Sequence, residues 1–77
     1  MGWDQKDAVG EPLEKGDLVK VFRYSAEYGH EVVGEYVGKV ATVIAIEHEH
    51  YVNYLQIGLS FGDGEAGWAH QSLVMKV

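Results

Sequence analysis

Residues 37–46, VGKVATVIAI, constrain the fold of this chain more than any other stretch. Nearly every position is apolar, and Val, Thr and Ile dominate. Branched side chains lose χ1 freedom against a preceding helical turn, so such a run favours a pleated strand. Counted in twos, Val40, Thr42, Ile44 and Ile46 fall on one face, with Lys39, Ala41, Val43 and Ala45 on the other. Small residues opposite large ones lead us to expect a strand covered on both sides in a tight barrel.

The neighbouring segments share that period. Gly16-Asp17 is a turn signal, and residues 18–24 (LVKVFRY) read as a first strand with Val19 and Val21 alternating against Lys20. Residues 25–36 (SAEYGHEVVGEY) break the pattern with two glycines, three acids and two tyrosines, and read as a long excursion loop. Glu47-His48-Glu49-His50 reads as a polar hairpin tip or a strand extension. Residues 51–61 (YVNYLQIGLSF) form the next expected strand, with Leu55, Ile57, Leu59 and Phe61 facing the core and Gly58 where the strand bends. Gly62-Asp63-Gly64 tolerates the positive φ of a tight turn. Residues 67–70 then read as a short fourth strand, 71–73 as a single 3₁₀ turn and 74–77 as a fifth strand. No helical stripe of useful length appears.

The fold expected is all-β: a small five-stranded barrel over residues 16–77, with a long first loop and a 3₁₀ turn before the last strand. Residues 1–15 show no period of two or of 3.6, hold the only proline and carry Asp4, Asp7, Glu11 and Glu14. They read as a flexible acidic N-terminal arm. Trp3 within it either folds back on the barrel, is disordered, or anchors a partner.

Composition removes several function classes. A chain of 77 residues buries only about 60% of the surface its unfolded form exposes, and with no cysteine it has no disulfide or thiolate–metal staple. Six bases face twelve acids, for a net charge of −6, and Arg23 is the lone arginine. Nucleic-acid binding draws on clustered Lys and Arg, so a nucleic-acid partner is not expected. A strongly acidic barrel is instead suited to mimicking nucleic acid on a basic protein groove. The first fifteen residues lack an apolar run and no stretch nears the ~20 apolar residues of a membrane span, so a cytoplasmic domain without membrane contact is expected. Gly-x-Ser-x-Gly, a nucleophilic cysteine and a phosphate-cradling glycine loop are all missing. Pockets for small molecules start near ~300 Å³, and a chain this short has little room for one. A non-enzymatic protein with no cofactor and no small-molecule substrate is the expectation.

Gly67-Trp68-x-x-x-Ser72-Leu73-Val74 resembles the end of SH3-type barrels, where a glycine–aromatic strand passes through a 3₁₀ turn into the last strand. Lys15-Gly16-Asp17-Leu18-Val19-Lys20-Val21 and Gly38-Lys39-Val40-Ala41-Thr42-Val43-Ile44 extend the likeness. Together they look like the layout of SH3-like accessory subunits such as the small stromal subunit of photosystem I, the variable chain of ferredoxin–thioredoxin reductase and the β subunit of nitrile hydratase. That resemblance, over residues 15–77, implies an SH3-like barrel that docks on another protein. Peptide-binding SH3 domains carry a proline and a tyrosine where this chain has His70 and Leu73, so two walls of a polyproline groove are absent. Its acidity also departs from the basic faces of ferredoxin-docking subunits and the basic loops of RNA-binding relatives.

Candidate binding residues are the aromatic and acidic side chains of the long loop, the 62–66 turn and the closing strand: Tyr24, Glu27, Tyr28, Glu31, Tyr36, Asp63, Glu65 and Trp68. Tyr and Trp dominate interface hot spots, and in SH3-type barrels these regions meet on one face. Tyr24 and Trp68 serve equally well as core or rim packing. His48 and His50, at i and i+2, would share one face of a strand and could hold Zn²⁺ or Ni²⁺ if His30 or His70 completed the site, with a solvated hairpin tip as the plainer reading. The first expectation is therefore a protein-interaction module, whether accessory subunit, inhibitor or assembly factor. The second is an SH3-like subunit of a ferredoxin-linked or nitrile-hydratase-like complex.

Overall fold

A computed structural model describes residues 5–49 and 54–77. Five strands form one antiparallel sheet: β1 (Leu18–Val21), β2 (Val40–Glu49), β3 (Tyr54–Ser60), β4 (Ala66–His70) and β5 (Val74–Lys76), in the spatial order β4-β3-β2-β1-β5. The outermost strands, β4 and β5, are consecutive in the chain and joined by one 3₁₀ turn, Gln71–Leu73. In a flat sheet four strand spacings of ~4.8 Å would hold them about 19 Å apart. A three-residue 3₁₀ turn, rising ~2 Å per residue, cannot cross that gap. The sheet must curl until its two edges approach, and the all-β barrel with a 3₁₀ turn before its last strand follows from that connection.

The alternations read from sequence hold for β1 and β3. Val19 and Val21 are wholly buried, as are Leu55, Ile57 and Leu59, while Phe61 packs at the core's margin. β1 ends at Val21, three residues earlier than expected, and the backbone N–H of Phe22 turns to the Leu73 carbonyl (3.2 Å). β2 departs further. It starts at Val40, after a turn in which Gly38 takes φ 90°, and it runs on to Glu49, so Glu47 and His48 extend the strand. It is not covered on both sides: Ala41 and Val43 face the core, whereas Val40 and Ile44 are each 47% exposed. The strand also carries a bulge. Val43 pairs with Leu59 and Ala45 with Gly58, leaving Ile44 unpaired. One extra residue reverses the alternation, so beyond the bulge Ile46, opposite Ile57, turns to the core in place of the odd-numbered positions.

Residues 5–15 are packed, where a flexible arm was expected over 1–15. Lys6 and Pro12 pair across a small turn, closed by hydrogen bonds from Asp7 N–H to the Glu11 carbonyl (2.8 Å) and from Leu13 N–H to the Gln5 carbonyl (2.9 Å). Leu13 is 1% exposed and belongs to the core; burying a leucine side chain contributes about 1.5–3 kcal/mol. Asp7 is buried as well. Its Oδ1 accepts from Val9 N–H (3.0 Å) and Glu11 N–H (2.8 Å), and its Oδ2 accepts from Lys76 N–H (2.7 Å). Burial alone would raise its pKa, yet the four backbone donors of Lys76, Glu11, Val9 and Gly10 together hold it below the usual carboxylate range. Trp3 and Asp4 lie outside the described residues.

The long loop is more ordered than its composition suggests. It contains a one-turn helix, α1 (Glu31–Gly34), capped by His30, whose Nδ1 accepts from Val32 N–H (3.3 Å). Val33 of α1 is fully buried against Gly67 of β4: a Cβ at Gly67 would stand 2.9 Å from Val33 Cγ2. Glycine at position 67 is therefore what allows the helix to lie on the strand. Among the described residues, every buried side-chain polar atom has a hydrogen-bond partner, and no helix is long and apolar enough to cross a membrane.

Candidate functional site

A groove of about 280 Å³ opens where the long loop meets the outer face of the barrel. Residues 27–30 line one side, and Gln56 of β3 with Trp68 and Ala69 of β4 line the other. Backbone pairing builds it. Gly29 bridges Ala69, the His30 N–H donates to the Trp68 carbonyl (2.9 Å), and the His70 N–H donates to the Tyr28 carbonyl (2.7 Å). Residues 28–30 thus act as a short sixth rung along the free edge of β4. On β4 itself, Gly67 and Ala69 face inward while Trp68 faces out, 40% exposed. Trp68 pairs with Gly58, and its Cζ3 comes within 3.5 Å of where a Cβ on Gly58 would stand. The missing side chain gives the indole room against the sheet, a use of Gly58 that its reading as a bend position did not include.

Tyr28, 42% exposed, is the loop's aromatic contribution. Its ring meets that of His70 at a centroid distance of 4.9 Å and an interplanar angle of 51°. His70 also caps the 3₁₀ turn: its Nδ1 accepts from Ser72 N–H (3.0 Å) and lies 2.8 Å from Ser72 Oγ. Burial, then the positive charge of Arg23, holds the His70 pKa below 6.5. His30 and His70 repeat one device, a ring nitrogen whose lone pair receives the first free N–H of a short helical turn. Both need an unprotonated Nδ1 for it.

The eight residues singled out from sequence separate into four groups. Glu27, Tyr28 and Trp68 come together at the groove. Tyr24 is part of the packing beneath the loop: its hydroxyl donates to the Gly29 carbonyl (3.1 Å), and Cβ atoms added at Gly29 or Gly34 would lie 3.0 and 3.1 Å from its ring. Tyr36, Asp63 and Glu65 form a second cluster away from the groove lining. There the Tyr36 ring stacks on Phe61 (4.0 Å, 14°) and its hydroxyl donates to Asp63 Oδ2, while the Glu65 N–H donates to Asp63 Oδ1 (3.0 Å). The hydrogen bond to Asp63 pushes the Tyr36 phenol up to about 12, and the same bond lowers the Asp63 pKa. Glu31 opens α1, exposed and outside the groove lining.

His30 and Gln56 line the groove without having been singled out. Their positions depend on the Gly29–Ala69 pairing and on the β3–β4 register, neither of which leaves a local motif. Among the described residues, no group of three or more His, Asp or Glu side chains is placed to hold a metal ion. His48 is exposed on β2, and His50 lies outside the described residues. No family model, curated protein or solved structure matches the chain.

Proposed function

We propose that this domain is a non-enzymatic protein-interaction module, serving as an accessory subunit, inhibitor or assembly factor, and that the groove between residues 27–30 and Trp68 is its docking face. The observation that carries this reading is the pair Tyr28 and Trp68, large aromatic side chains each about two-fifths exposed beside one groove. Large aromatics with a solvated face are costly to leave open and are the residues that dominate protein interfaces. At about 280 Å³ the groove falls just short of the ~300 Å³ at which small-molecule sites start and suits one or two side chains of a partner.

Tyr28→Ala and Trp68→Ala are the test, read by quantitative pull-down of partners from the source cell. Both are expected to reduce recovery of a common set of proteins at least ten-fold, as loss of an interface hot spot of ~2 kcal/mol or more does. Tyr28→Ala should retain the wild-type circular dichroism, because the ring lies outside the buried core. Undiminished recovery by both variants would remove this face from consideration.

A further inference from the structure

We propose that the groove selects a cationic side chain, arginine or lysine, presented by an extended segment of a partner protein; this rests on the docking reading above. Three observations point the same way. First, the groove offers two aromatic rings and one carboxylate, Tyr28, Trp68 and Glu27, and no Lys or Arg lines it. A cation over an indole or phenol face is drawn to the ring quadrupole, and a carboxylate at the rim completes its neutralisation. Second, the imidazoles of His30 and His70 both turn Nδ1 to backbone N–H groups, of Val32 and Ser72, so those nitrogens are not presented to the rings. Third, the edge of β4 beside the groove is already paired with residues 28–30, at the Trp68 carbonyl and the His70 N–H. A partner strand cannot add to that edge, so recognition falls to side chains. The chain's net charge of −6 adds a long-range attraction for a basic segment.

The experiment compares two probes of one shape. ¹⁵N-labelled protein is titrated with the peptide acetyl-Gly-Ser-Arg-Ser-Gly-amide and with the same peptide carrying citrulline, the neutral isostere of arginine. The arginine peptide is expected to shift the Trp68 indole N–H, the amides of residues 28–30 and the Gln56 side-chain amide. The citrulline peptide should bind about ten-fold more weakly. Glu27→Gln should weaken the arginine peptide about three- to ten-fold and leave the citrulline peptide unchanged, since only the charged probe uses the carboxylate. Equal binding of the two peptides would overturn the preference for charge. If pull-down then still depended on Tyr28 and Trp68, the docking face would stand without its cation. Shifts elsewhere, or none with the arginine peptide at millimolar concentration, would overturn the proposal.

Discussion

β5 and β4 are the two outer strands of the sheet, and each has its outward hydrogen-bonding row occupied by a segment from elsewhere in the chain. On β5 the cover is the turn at residues 7–11: the Ala8 N–H donates to the Val74 carbonyl (3.1 Å) and the Asp7 carboxylate accepts from Lys76 N–H (2.7 Å). On β4 the cover is residues 28–30, which pair by backbone alone. Both arrangements remove a template for unwanted strand pairing. They differ in what they leave behind. The β5 cover is sealed, with Asp7 and Leu13 buried beneath it. The β4 cover stands off from the sheet face and leaves a groove flanked by exposed aromatic rings. One edge is closed over a buried carboxylate and leucine, and the other is closed in a way that leaves an open groove.

The contrast breaks first at Asp7. Asp7→Ala deprives three partly buried backbone N–H groups, of Val9, Glu11 and Lys76, of their acceptor at once, at a cost of about 2–4 kcal/mol. Domains of this size hold only ~3–5 kcal/mol in total, so thermal melting should fall by more than about 10 °C or show a chain unfolded at room temperature. A melting point within a few degrees of wild type would mean that the β5 edge does not depend on its buried carboxylate.

Gly67→Ala strikes the opposite edge from beneath. The added Cβ meets Val33 Cγ2 at 2.9 Å, and Val33 is fully buried and cannot swing away. A loss of about 1–3 kcal/mol in denaturant unfolding is expected. Because α1 follows residues 28–30 directly, partner recovery should fall as well. Lost stability with undisturbed partner recovery would show that the groove does not depend on the seat of the helix.

Acid should separate the two edges by pH. The folded pKa of His70 lies below 6.5, so as pH falls under 6.5 the unfolded chain takes up a proton that the folded one resists, and the stability that neutral His70 contributes is progressively lost. Asp7 has a folded pKa below 3.8, so its contribution is present above 3.8 and is lost as pH falls through the lower folded value. Stability measured against pH should therefore decline in two steps. His70→Gln should remove the upper step and leave the lower one. Persistence of the upper step in that variant would assign it to another group.

The strands were legible where burial follows a strict alternation. Val19 and Val21, and Leu55, Ile57 and Leu59, announce their faces because each side chain meets either core or solvent. The 3₁₀ turn and the positive-φ glycines at 62 and 64 were equally plain. The packed turn at residues 5–15 was not, since Asp7 and Leu13 are single buried positions with no period around them. Asp7-Ala8-Val9-Gly10, with Gly10 at φ 94°, did carry the signature of a turn. At the groove, Tyr28 and Trp68 could be named from residue type. That Tyr36 and Asp63 would pair with each other away from the groove, and that His30 and Gln56 would line it, depends on the register of distant segments.

The bulge at Ile44 makes β2 more sensitive to its length than to its composition. Substitutions at the exposed positions Val40 and Ile44 leave the ladder as it stands. Loss of Ile44 itself would restore unbroken pairing and keep Ile46 opposite Ile57, whereas loss of a residue beyond a retained bulge, such as Ala45, would turn Ile46 out to water and Glu47 in toward the core. For this strand the damaging change in a coding sequence is therefore a one-codon deletion beyond the bulge, which alters no side chain that remains and misplaces several of them.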